Sequence, residues 1–102
     1  MSDDCSVIPL LPTPRLKLGV LVATPGALQA LQAVDVSVFR LVNRHARSDW
    51  GDVDDADRQQ NDFAAANGER VLSCYRLWNG RCIWIVTEAD RSLTTVLLPD
   101  EY

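Results

Sequence analysis

The chain has 102 residues, 47% of them hydrophobic and 24% charged, a balance that fits one folded domain around a single core and excludes global disorder. Its net charge of −4 argues against direct nucleic-acid binding through the overall field and leaves only a local basic patch for that purpose. Cys5, Cys74 and Cys82 show no CxxC spacing and only one histidine accompanies them, so no metal site and no cofactor are expected.

The first 14 residues hold Pro9, Pro12 and Pro14 beside Asp3 and Asp4. That spacing forbids a helix and favours extended chain. A flexible lead over 1–14 is therefore expected ahead of one domain over 15–102, with Val7, Ile8, Leu10 and Leu11 available to dock on the body. No positively charged leader and no apolar run near the roughly 20 residues of a bilayer span occurs. A cytoplasmic protein with reduced thiols and no membrane contact follows as the expectation.

Residues 16–23 (LKLGVLVA) read as a short buried strand. Thr24-Pro25 opens a helix, because Thr caps well and proline at the first position lacks only a donor that has no helical partner there. Leu28, Leu31 and Val34 form its expected buried stripe. The free amides after Thr24 are also where an anion would sit, although no phosphate-loop lysine follows. A second helix is expected over about 37–46. Val38, Phe39, Val42 and Ala46 lie on one face, and Arg40, Arg44 and Arg47 lie toward the other as a solvated face or a small basic patch.

Residues 49–62 (DWGDVDDADRQQND) contain six aspartates and one arginine, a net of −5, so the rest of the chain sums to +1. Asp52, Asp54 or Asp55 would cap a third helix, with Val53, Ala56 and Phe63 as a thin apolar stripe and Asn67-Gly68 as its stop. One reading is a capped surface helix. The other is an acidic patch that meets a protein partner with a basic surface, or imitates a row of phosphates. In that reading Asp52, Asp54, Asp55, Asp57 and Arg91 make the contact and Trp50 is the apolar anchor. The aspartate spacing lacks the sixth-position glycine and twelfth-position glutamate of a calcium loop.

The last third reads as three strands. Asn79-Gly80 between runs of β-branched and aromatic residues signals a two-residue hairpin turn with positive φ at both positions. That turn pairs Tyr75 with Trp84, an aromatic pair worth about 0.2–1 kcal/mol, and sends Cys74 and Cys82 to opposite faces. A further turn near Ala89-Asp90-Arg91-Ser92 leads to a strand over 93–98 that Pro99 ends.

Candidate chemistry is sparse. His45 with Asp49, Asp52 and Glu88 is the set from which a small enzyme would be built, through a His–Asp dyad. No Gly-x-Ser-x-Gly elbow and no activated cysteine is present. Glu88, Asp90, Arg91 and the neighbouring hydroxyls are accounted for by a structural turn.

The order Ala23-Thr24-Pro25-Gly26-Ala27-Leu28, His45, Asp49-Trp50-Gly51-Asp52, Asn61, Thr87-Glu88-Ala89-Asp90-Arg91-Ser92, Thr94-Thr95, Leu97-Leu98-Pro99 and Glu101-Tyr102 resembles a family of small bacterial proteins. These are carried on plasmids and other mobile elements and are often named plasmid-related protein or type I restriction subunit M. The resemblance covers about residues 16–102, and the Pro-rich front departs from it. The chain has neither a Gly-rich cofactor loop nor an Asn-Pro-Pro-aromatic motif, so no methyltransferase is implied. What the resemblance implies is a mobile-element context, with a role in host defence of an anti-restriction or anti-CRISPR type, or in element maintenance. The expected fold is α+β: an antiparallel sheet of three C-terminal strands, with room for one N-terminal strand, packed against two or three helices. The expected function is a small acidic non-enzymatic binding protein, with the enzyme built on His45, Asp49, Asp52 and Glu88 as the alternative. The oligomeric state does not follow from the sequence.

Overall fold

The elements run in the order β1 (Val20–Ala23), α1 (Pro25–Ala33), α2 (Val38–Ala46), α3 (Asp55–Asn67), β2 (Val71–Arg76), β3 (Cys82–Thr87) and β4 (Leu93–Leu97), closed by a 3-10 turn over Pro99–Glu101. They come from a computed structural model that describes residues 16–102. The proposed lead over 1–14, with its apolar residues and Cys5, lies outside the described residues. The fold is α+β. Its four strands form one mixed sheet in the order β1-β4-β3-β2, with β2, β3 and β4 antiparallel and β1 parallel to β4.

Each helix starts on the residue type that satisfies free amides. Thr24 Oγ1 accepts from the Ala27 amide, Ser37 Oγ from Phe39, and Asp54 from Asp57. At the far end of α3, Gly68 takes the left-handed conformation and stops the helix, as expected of a residue without a Cβ. The buried residues of α1 and α2 pack on one sheet face, where Ala27, Ala30, Leu31, Leu41 and Val42 meet Tyr75, Leu77, Ile83, Ile85 and Val96. A second cluster joins Leu16, Trp50, Ala64 and Val71 on the same face. Among the described residues no helix packs its buried residues on the other face, where Leu72, Cys74 and Trp84 are half-buried.

The hairpin corrects the expected register by one residue. Gly80 N–H donates to Leu77 O at 2.9 Å and Leu77 N–H to Arg81 O at 2.7 Å, so the loop is the three residues Trp78-Asn79-Gly80. Only Gly80 has positive φ, at 90°. This is a type I turn followed by a left-handed glycine, which needs no left-handed asparagine. Tyr75 therefore faces Ile83 and Trp84 faces Cys74. Tyr75 and Trp84 lie on opposite faces, while Cys74 and Cys82 share one. The physical reason is burial. This register puts Tyr75, Ile83 and Ile85 under the helices together and leaves Arg76 outside.

Three further expectations change. Residues 16–23 are not a buried strand. Only 20–23 pair, and Val20 is 64% exposed, because β1 sits at the sheet edge. Phe39, Phe63 and Leu28 are exposed. α2 instead buries Leu41, Val42, His45 and Ala46, and α3 buries Asn61 and Ala64.

Candidate functional site

His45 leaves α2 toward the sheet and ends fully buried. Its Nδ1 lies 2.5 Å from Ser73 Oγ on β2 and its Nε2 2.8 Å from Thr87 Oγ1 on β3. Thr87 Oγ1 is 2.7 Å from Thr94 Oγ1, which donates to Leu18 O at 2.7 Å. The direction of every bond follows from that last acceptor. A carbonyl only accepts, so Thr94 donates to it and accepts from Thr87. Thr87 has then used its one proton and accepts from His45 Nε2–H. Nδ1 is left as the acceptor of the Ser73 hydroxyl. The imidazole is neutral, with burial first and the nearby Arg91 charge second pushing its pKa down to about 4. Trp50 closes the site edge-on, with ring centroids 5.6 Å apart. The Ser73–His45 pair has the connectivity of a nucleophile and its base. Both residues are fully buried.

The acids of the 49–62 segment have local work. Asp49 binds Arg44 Nε at 2.7 Å and the Gly51 amide at 3.2 Å, and the Arg44 hydrogen bond above all holds its carboxyl below the usual range. Arg44 also stacks 4.7 Å over the Tyr75 ring. Asp52 Oδ2 accepts from the Arg76 amide at 2.8 Å. Asp54 caps α3, Asp55 pairs with Arg58, and Asp62 accepts from Trp50 Nε1 at 2.9 Å. Trp50 itself is 2% exposed. It is an anchor of the core and not of a partner surface, which corrects the reading from sequence. Only Asp57 has no side-chain partner among the described residues.

The remaining candidates are separate again. Glu88 sits in the turn between β3 and β4, 3.4 Å from Arg70. Arg91, at φ 61°, turns its guanidinium inward to the carbonyls of Glu69, Glu88, Ala64 and Ala65 at 2.7–3.4 Å. Two of those carbonyls end α3, where a cation also suits the helix dipole. Arg91 is thus a helix clamp. Asn61 uses both ends of its amide on Leu72, donating to the carbonyl at 2.8 Å and accepting from the amide at 3.2 Å. Among the described residues His45, Asp49, Asp52 and Glu88 are therefore engaged in separate places.

What the structure does bring together, among the described residues, includes three shallow clefts of about 360, 360 and 310 Å³. The one of interest, about 310 Å³, lies between the start of α3 and the open sheet face and is lined by Val53, Asp57, Gln60, Asn61, Leu72 and Trp84. The chain matches no protein-family model, no curated protein and no solved structure. The geometry of the chain itself carries the functional argument. Among the described residues no group of three or more His, Cys, Asp or Glu converges as metal ligands, and no helix is long and apolar enough to cross a membrane. Trp84 is the aromatic that sequence reasoning missed at this surface. Its signal was the hairpin register, since a three-residue loop alone sends it to the open face.

Proposed function

We propose that this chain is a non-enzymatic binding protein whose contact surface is the first turn of α3 with the cleft beside it, and whose partner presents a basic surface. The observation that carries this reading is Asp57. It is the acid of the 49–62 segment left without a side-chain partner among the described residues, and it lines a cleft floored by Leu72 and Trp84. An arginine or lysine from a partner fits that chemistry, with its stem over the indole and its charged head at Asp57. Asp54 and Asp55, exposed beside it, add attraction that acts mainly on association rate. The resemblance to mobile-element proteins supports a partner from host defence or element maintenance. A protein with a basic nucleic-acid groove would accept this helix in place of phosphates.

The test is capture from host lysate by crosslinking, followed by association kinetics with the captured protein at two salt concentrations. Replacing Asp54, Asp55 and Asp57 by Asn keeps an asparagine cap on α3. It should slow association most at low salt, where screening over about 8–10 Å is weakest. A triple variant that binds at the wild-type rate at both salts would sink the reading.

A further inference from the structure

The two edges of the sheet are finished in opposite ways. Along β2, the outward amide and carbonyl of Leu72 are held by Asn61. The Cys74 amide donates to Trp50 O, its carbonyl accepts from the Asp52 amide, and the Arg76 amide donates to the Asp52 carboxylate. Gly51 makes this cover possible. It sits at φ 80°, and a Cβ there would strike the Cys74 carbonyl and the Tyr75 ring. Along β1 nothing comparable exists among the described residues. The amides of Val20 and Thr24 donate to Ser92 O and Val96 O on β4, so by the alternation of a strand the N–H and C=O groups of Leu21 and Ala23 point outward.

Side chains repeat the contrast. Exposed edges are ordinarily blunted by charge, bulge or proline, yet β1 reads Val-Leu-Val-Ala. Val20, Leu21 and Val22 are 64%, 37% and 41% exposed. From Leu18 to Val34 there is no charged residue at all, in a chain of net charge −4. Any partner of like charge meets least repulsion here.

We propose that β1 is the interface of a two-fold homodimer, in which two copies pair antiparallel about Val22 and join their sheets into one of eight strands. The edge is self-complementary in this register. Leu21 of one copy exchanges hydrogen bonds with Ala23 of the other, and Ala23 with Leu21, so all four outward groups on each strand find a partner. Val22 meets its own copy across the axis. Charge complementarity supports the antiparallel sense. The Gly19 end of β1 lies against the backbone of Arg91 and Ser92 and carries the exposed Lys17 and Asp90, while the Arg91 guanidinium is turned away to the end of α3. The Thr24 end carries Asp100 and Glu101, with Glu101 bonded to Thr24 Oγ1 at 2.7 Å. A two-fold axis sets the first end beside the second, twice. Because the β2 edge is sealed, each copy has one open edge among the described residues, and association stops at two chains and forms no fibre. This contact is independent of the acidic surface proposed above, which lies beyond the opposite edge.

The experiment is sedimentation equilibrium on the full chain over a range of concentrations, with Val22→Lys and Leu21→Pro variants. Wild type should have the mass of a dimer. Val22→Lys places two ammonium groups face to face and should raise the dissociation constant on the order of tenfold or more. Leu21→Pro removes an outward amide and no β4 bond, and should do the same. Circular dichroism should show both variants folded. A wild type that is monomeric at its highest soluble concentration overturns the proposal, as does a dimer that survives both variants. Amide exchange separates the rival occupant: Leu21 and Ala23 protected in a monomer would mean that residues 1–15 cover the edge, and the proposal falls.

Discussion

Acidification should destabilise this protein, and one residue should account for a large share of the loss. The unfolded histidine titrates near pH 6.5, whereas His45 in the fold is pushed down to about 4 by burial and by Arg91. A folded-state value below the unfolded one means that the unfolded chain binds the extra proton between those pH values. Stability is therefore full above about pH 6.5 and lost as pH falls toward 4. At 1.36 kcal/mol per unit, about 2 kcal/mol is gone by pH 5 and about 3 kcal/mol by pH 4. That is a large share of the roughly 5–15 kcal/mol that holds a domain together. Protonation also breaks the hydroxyl chain, because Nδ1 then donates and the Ser73 hydroxyl loses its acceptor. The assay is urea unfolding of wild type and His45→Gln across pH 7 to 4, so that the carboxylates common to both cancel. Glutamine keeps a donor toward Thr87 and carries no titrating group, and it costs about 1–3 kcal/mol at neutral pH through the unpaired Ser73. The gap between the two proteins should close by about 3 kcal/mol on going to pH 4. Two curves that stay parallel would refute the reasoning. NMR gives a second check: the chain has one histidine, and its nitrogen shifts should be those of the Nε2–H tautomer.

Three other substitutions probe the scaffold. Asn61→Ala strips the Leu72 amide and carbonyl of their partner and should cost about 2 kcal/mol in urea unfolding; a neutral result would mean the β2 edge is sealed by other means. Arg91→Lys keeps the charge but not the fork of donors, so it should cost about 1–3 kcal/mol and speed amide exchange at the end of α3. Unchanged exchange there would show that the guanidinium does not clamp the helix. Gly51→Ala should be severe, about 3 kcal/mol or more, since strain and overlap with Cys74 and Tyr75 add. Gly68→Ala, at φ 70° with nothing within 4 Å of the added Cβ, should cost only about 1–2 kcal/mol. Equal costs for the two would contradict the close packing at Gly51.

Local chemistry was legible in the sequence wherever one residue type has one physical use. Thr24-Pro25, the aspartate cap of α3 and Asn67-Gly68 all sit where they were expected. The three C-terminal strands were legible from their β-branched residues and turns. What failed depended on a choice between near-equal alternatives. Asn79-Gly80 suits a two-residue turn by composition, but the burial of Tyr75 with Ile83 and Ile85 selects the three-residue loop. Phe39 and Phe63 look like core residues by hydrophobicity, yet the helices turn His45 and Asn61 inward instead. That exchange is invisible from spacing, because a buried polar residue is stable only where specific partners from distant strands meet it. Trp50 followed the same logic in reverse. Acids on either side suggested a surface, while Asp62 and the Leu16–Val71 cluster draw the indole inside.

The parallel pairing of β1 with β4 has a consequence for the order in which the chain is built. Val20 and Leu93 are neighbours in the sheet but lie near opposite ends of the described sequence. On the ribosome the uncharged stretch from Leu18 to Val34 emerges well before β4 and waits several seconds for its strand partner, at about 5–20 residues per second. Helices and the β2–β3 hairpin close over short loops in that interval, whereas β1 must pay the entropy of the longest one. Until β4 is free of the exit tunnel, this segment is an apolar sequence in search of cover and a natural site for a chaperone to hold.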